Sequence, residues 1–152
     1  MFYKDSREIY RVTELDSLPW LVHGFGTRLA RVPALFGNLA TLRQIHSGTC
    51  VTAAGRGGVL GEGDALLENT PGSVVAVKTA DCLPILLVDA GHGAVAAVHA
   101  GWRGTVAGIV QRAFEVEPPP STQVVQALAP RVISVWEKIG GEVRARLAQA
   151  YE

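Results

Sequence analysis

The 152-residue chain balances 14 Lys and Arg against 14 Asp and Glu, for a formal net charge of zero and a pI near 6.9. Charged residues make up 18%, below the roughly 25% of an ordinary soluble domain, and apolar residues make up 48%. This length suits one domain spanning 1–152 with a real core. No basic stripe invites a nucleic-acid polymer, and no apolar run reaches the roughly 18 residues of a membrane span. The low charge leaves apolar surface that a second subunit would cover, so both monomer and homodimer fit. Met1–Asp5 does not read as a signal peptide, and two cysteines, Cys50 and Cys82, are too few for a disulfide framework. The expectation is a reduced, cytoplasmic protein.

In chain order, "PWLVHGF" (19–25) predicts a strand ending at Gly26, whereas 31–43 is ambiguous. "CVTAA" (50–54) predicts a strand, followed by the turn-rich "GRGGVLGEG" (55–63). Three apolar, β-branched strands follow at 73–80, 83–89 and 94–100. Val106, Ile109, Val110, Ala113 and Phe114 then take the spacing of one buried helix face. "EPPPST" (117–122) stops that helix, and "VVQALA" (124–129) is a further strand. From Ser134 the chain is helical in character, with Ser134 and Glu137 at capping-box spacing. Gly140-Gly141 disfavours a helix there and moves its start toward 141–150. Strands outnumber helices and run consecutively, which predicts an α+β protein with a mixed β-sheet core flanked by helices.

"TADCLPILLVDAGHGAVAAVHAGWRGT" (79–105) holds the most apolar run of the chain, yet it ends in chemically active groups. A four-residue loop, Ala90–Gly93, would pair Asp89 with Ala94 and set Pro84 opposite His99. Cys82, two residues before Pro84, falls on the same face as a diagonal neighbour of His99. Three readings stay open. The pair can be plain core packing, a Cys–His nucleophilic couple, or two of three protein ligands to a catalytic metal. His46, in the polar knot "LRQIHSGT" (42–49), precedes Cys82 by 36 residues, a separation that permits a metal site without diagnosing one. "HAGWRGT" (99–105) brackets Trp102 and Arg103 with glycines between a buried strand and a helix start. Arg103 beside free helix N–H groups would seat an anion or phosphate, and Trp102 would stack on a flat ring. The competing reading makes Trp102 core and Arg103 ordinary surface.

Six blocks resemble, in order, the laccase-domain family, variously called polyphenol oxidoreductase laccase and purine nucleoside phosphorylase. They are "HGFGTR" (23–28), "RQIHSG" (43–48), "GDALLEN" (63–69), "KTADCLPILLVD" (78–89), "AVAAVHAGWRGTVAGIV" (94–110) and "ALAPRVISVWEKIGGEV" (127–143). The resemblance implies the laccase-domain α/β sandwich fold, with zinc held by His46, Cys82 and His99. It implies phosphorolysis of adenosine, inosine, guanosine and methylthioadenosine, and deamination of adenosine, with small-molecule substrates (a purine nucleoside and phosphate). Against the family pattern the chain reads as a shortened member: Gly37-Asn38-Leu39 runs almost directly into Arg43, the 129–137 block departs from the family's wording, and the chain stops at Glu152.

On this reading Cys82, His99 and His46 are catalytic through the metal, and Asp81 is the candidate proton carrier. Arg28, Arg103, Trp102 and Gln44 are the candidate substrate contacts. The alternatives are a copper-dependent polyphenol oxidase, a Cys–His hydrolase with Cys82 as nucleophile and His99 as base, and a non-catalytic metal-binding remnant. A multicopper centre would need far more histidines than His23, His46, His92 and His99, although a single copper at the Cys/His/His group is open. Among the rest, His92 reads as a solvated loop residue and Cys50 as a small core hydrophobe, while Asp64 either orients the site or caps a turn, the structural role being the preferred reading.

Overall fold

The apolar runs 83–89 and 94–100 form the hairpin that organises the molecule. In this computed structural model, which describes residues 1–27, 30 and 36–115, strands β9 (Leu83–Asp89) and β10 (Ala94–Ala100) pair antiparallel, Ala94 with Asp89 through His99 with Pro84. This is the register expected from the four-residue loop. Asp89 also closes the turn, its carboxylate accepting from the N–H groups of Gly91 and His92 and from His92 Nδ1 at 2.7 Å. His92 at the tip is therefore tied to Asp89 rather than simply solvated.

Two further strands complete this sheet. β7 (Ala65–Glu68) pairs antiparallel with β10, and β5 (Cys50–Thr52) lies parallel to β7, giving the order β5-β7-β10-β9. Alternation sends Ile85, Leu87, Ala96, Val98 and Ala100 to one face, where helix α2 (Ile109–Glu115) covers them with Ile109, Val110 and Ala113. Ile109 is fully buried there, and a side chain of that size contributes about 1.5–3 kcal/mol by leaving water. Half-buried Cys50 packs against the same cluster, as expected of a small hydrophobe, and burial pushes its thiol pKa up.

A second described sheet, order β6-β4-β8, is parallel throughout: β4 (Leu39–Arg43) lies between β6 (Gly58–Glu62) and β8 (Val74–Val75). A third, near the N-terminus, joins β1 (Phe2–Lys4), β2 (Ile9–Val12) and β3 (Phe25–Gly26) antiparallel. The α+β expectation with mixed strand directions holds, but the described strands divide into three sheets.

Several local expectations change. The strand expected over 19–25 shrinks to Phe25–Gly26, because buried His23 uses Nε2 to accept from Val12 N–H at 2.8 Å and takes the place of a backbone ladder. The turn-rich 55–63 stretch contains β6, whose mostly exposed side chains carry no apolar alternation while its backbone pairs with β4. The strand expected over 73–80 ends at Val75. Beyond it the chain still follows β4, through Ala76 N–H to the Ala40 carbonyl and through the side chain of Gln44, which accepts from Lys78 N–H and donates to the Lys78 carbonyl.

The single helix expected from Val106 is two pieces. Helix α1 (Trp102–Val106) ends where Gly108 takes φ +71°, and α2 starts afresh at Ile109. Val106 consequently faces solvent, 67% exposed, and is no part of the buried stripe. The helix stop at 117–122, the strand at 124–129 and the helical stretch from Ser134 lie outside the described residues.

Candidate metal centre

His46, Cys82 and His99 come from three separate places. His99 is the penultimate residue of β10, Cys82 sits in the bend just before β9, and His46 lies in the loop after β4. Their ligand atoms nevertheless lie within 4.8 Å of one another. The two imidazoles meet edge to face, with centroids 4.9 Å apart at 74°. His99 is buried, Cys82 half-buried and His46 exposed, so the cluster opens to solvent on the His46 side. A thiol and two imidazoles at this separation are a donor set that fits a divalent metal.

Asp64 builds this cluster. It immediately precedes β7 and continues its register, so it stands opposite His99, and His99 N–H donates to its carbonyl at 2.7 Å. Its side chain is completely buried on the same face. Oδ1 accepts from His99 Nδ1 at 2.8 Å and from His46 N–H at 3.0 Å. Oδ2 accepts from the N–H and hydroxyl of Ser47 at 2.6 and 2.8 Å, and more weakly from Ile45 N–H at 3.4 Å. Burial raises the carboxyl pKa, but the hydrogen bonds from His99, Ser47 and His46 outweigh it and hold the group below the usual carboxylate range. His46 itself takes φ +59°, a left-handed conformation that costs about 1–2 kcal/mol for a non-glycine residue. Three consecutive N–H groups anchored on one carboxylate offset that cost.

The loop carrying His46 is also pressed against α1 through glycines. A Cβ on Gly104 would fall 2.9 Å from the Ser47 carbonyl oxygen, and one on Gly48 would fall 2.9 Å from Ala107 Cβ. At Gly101 a Cβ would meet Cys82 Sγ at 3.0 Å and His46 Cδ2 at 3.2 Å. Gly101 thus gives room to the Cys82 and His46 side chains, and Gly104 to the loop that carries His46.

The remaining expected residues sit as follows. Asp81 is exposed in the bend beside Cys82. Trp102 is 59% exposed in the first turn of α1, not core, with the Arg103 guanidinium 5.2 Å from its ring centroid. A helix of five residues has only a small dipole, so Arg103 itself would be the main attraction for an anion. Gln44 has its amide committed to Lys78. Arg28 lies outside the described residues. Sequence reasoning left Asp64 between orienting the site and capping a turn, preferred the structural role and did not give it His99; the usable signal was the strand 65–68 pairing with 95–98, which sets residue 64 against 99.

A family model described as multi-copper polyphenol oxidoreductase laccase matches residues 23–152. A Deinococcus radiodurans protein named purine nucleoside phosphorylase is 37% identical over 129 residues, covering 80% of this chain and 50% of its own length. A protein named adenosine deaminase, from an unknown prokaryotic organism, is 37% identical over 91 residues, 58% of this chain and 35% of its own. A solved Neisseria meningitidis structure superposes with a TM-score of 0.51 at 41% identity, covering 59% of this chain and 37% of that one. The chain spans half or less of the length of each of these relatives. No described helix is long and apolar enough to cross a membrane.

Proposed function

The chain belongs to the multi-copper polyphenol oxidoreductase laccase family, and from that membership we propose that it is a zinc-dependent enzyme acting on purine nucleosides. The observation that carries the reading is the convergence of His46, Cys82 and His99 within 4.8 Å, open on one side. The names of the relatives supply the substrate class. One thiol and two imidazoles open to solvent on one side match the donor pattern of catalytic zinc. Zinc bound there would supply Lewis-acid polarisation and lower the pKa of water to about 7.

The chain's own groups divide the remaining work. Asp64 occupies Nδ1 of His99, which leaves Nε2 for the centre. In deamination, water adds at the purine carbon bearing the amino group and ammonia departs, with Asp81 passing the proton from the water oxygen to the leaving nitrogen. In phosphorolysis, a phosphate oxygen bonds to ribose C1′ as the bond to the base breaks. Arg103, together with Arg28, would hold that phosphate, and Trp102 would offer its exposed ring to the base. Gln44, held by Lys78, would shape the wall of the site.

One observation favours a second reading. Cys82, His99 and Asp64 also form a thiol–imidazole–carboxylate series, the arrangement of a nucleophilic triad. His46 has no role in that series, and its presence within the same 4.8 Å favours the metal. Copper would also accept these donors, and in general binds them more tightly than zinc.

The deciding experiment incubates metal-analysed protein with adenosine, inosine and methylthioadenosine, with and without phosphate, and identifies the products. Inosine from adenosine without phosphate, and free base with ribose 1-phosphate when phosphate is present, are expected. Zinc-loaded protein that converts none of the three overturns the proposal. Cys82→Ser should lose the metal, because a neutral hydroxyl is a far poorer ligand than a thiolate. Unchanged zinc content with abolished turnover would move the assignment to the nucleophile.

A further inference from the structure

We propose that Asp64 is the positioning residue of the centre, a single carboxylate that fixes the tautomer of His99 and the backbone of His46 together. The inference rests on the metal reading above only for its consequence, metal affinity; the geometry stands without it.

The argument begins with donor and acceptor roles. A carboxylate has no proton to give, so the imidazole nitrogen 2.8 Å from Asp64 Oδ1 must carry one. His99 is thereby held as the Nδ1–H tautomer, and the lone pair of Nε2 is left for the cluster. In a metal site this outer partner fixes the tautomer and orients the ring. The same carboxylate collects His46 N–H, Ile45 N–H and both donors of Ser47. Those bonds hold His46 at φ +59°, the conformation in which its ring meets His99 edge to face. Two ligands that lie 53 residues apart in sequence (99 − 46) are therefore set by one side chain.

Asparagine cannot reproduce this, although it has almost the same shape. Its one oxygen can face either His99 and His46 or Ser47 and Ile45. With the oxygen toward His99, the NH2 group confronts the N–H of Ser47, donor against donor. With the NH2 toward His99, Nδ1 becomes the acceptor and the proton moves to Nε2, the nitrogen the metal needs. Both arrangements weaken the centre, one through the loop and one through the ring.

The test uses the full chain. Long-range nitrogen–proton NMR on the metal-free wild type should show His99 as the Nδ1–H tautomer. Asp64→Asn should remain folded, shift His99 toward Nε2–H or broaden the His46 loop signals, and bind zinc about 10–100-fold more weakly in a chelator competition. Ser47→Ala, which removes a single Oδ2 contact, should keep the His99 tautomer. The idea is overturned if wild-type His99 is the Nε2–H tautomer, a result that stands even where Asp64→Asn does not fold. It is also overturned if Asp64→Asn folds and keeps both the tautomer and the zinc affinity. Wild-type protein that binds no zinc but shows the Nδ1–H tautomer counts against the metal reading and supports the placement of Asp64.

Discussion

Gly104→Ala sets two effects of known size against each other at the wall of the centre. Gly104 lies within α1 and its φ is not positive, so alanine can adopt its backbone. Replacing glycine by alanine in a helix gains about 1 kcal/mol. Against this, the new Cβ would lie 2.9 Å from the Ser47 carbonyl oxygen, with Ile109 Cγ2 at 3.5 Å and the His99 carbonyl at 3.6 Å. The closest atom is backbone in a loop fixed by Asp64, so it cannot rotate away as a side chain would. Overpacking of this kind costs about 1–3 kcal/mol. The net is a loss of about 0–2 kcal/mol, centred near 1, which for a chain of this size lowers Tm by about 2–4 °C. Ser47 adjoins His46, so relief of the clash should also displace a ligand and weaken zinc binding. Thermal unfolding of metal-free protein, with chelator competition in parallel, measures both. Val106→Ala, at a 67% exposed position of the same short helix, gives a propensity gain of the same sign, smaller than that of Gly→Ala, without the clash. A Tm that rises in Gly104→Ala, with unchanged zinc affinity, would refute the close approach of loop and helix.

Two further outcomes follow from other residues. Buried Glu68 accepts from the N–H groups of Gly55, Asn69 and Thr70 at 2.8–2.9 Å, and although burial raises its pKa, these bonds hold it below its ordinary value. Its stabilisation is therefore present above the unfolded pKa of about 4.3 and is lost as pH falls through the lower folded value. Glu68→Gln should cost about 1–3 kcal/mol at pH 7, and the gap to wild type should narrow on acidification; a gap constant from pH 7 to pH 3 in denaturant titrations would contradict this. Under the proposed zinc-dependent phosphorolysis, Arg103→Lys should weaken phosphate use, because a point charge replaces a planar fork, while zinc content stays intact. Steady-state kinetics with varied phosphate check it, and an unchanged phosphate dependence in Arg103→Lys and Arg103→Ala removes the residue from the anion site.

The parts of the fold that could be read from sequence are those with strong local signals. The hairpin 83–100 was legible to the residue, because two β-branched runs flank a short Gly-containing loop and fix each other's register. The buried stripe Ile109, Val110 and Ala113 was legible for the same reason. Less was visible where side chains replace ladders. The Gln44 amide stands in for a strand beside Lys78, and His23 does so beside Val12, and neither leaves a periodic pattern. β6 was hidden because an exposed edge strand has no apolar alternation to show, and the helix break at Gly108 because one glycine fits equally well inside a stripe.

The centre was legible in an uneven way that has a physical cause. Cys82 and His99 are linked by one hairpin, so local pairing rules were enough to set them side by side. His46 belongs to a loop whose placement depends on tertiary contacts: the Asp64 carboxylate from inside and the glycine-lined approach of α1 from outside. Periodicity carries no trace of either, and only the resemblance of "RQIHSG" to a family motif pointed to His46. Asp64 was left between orienting the site and capping a turn for the complementary reason. A lone acidic residue after glycine reads as a turn cap, and its role emerges only when β7 is known to lie beside β10. Once that pairing is fixed, Asp64 must stand opposite His99, and a carboxylate buried there can be stable only by collecting donors. The loop 45–47 supplies them, which is why the strand pairing that builds the core also brings His46 to the cluster.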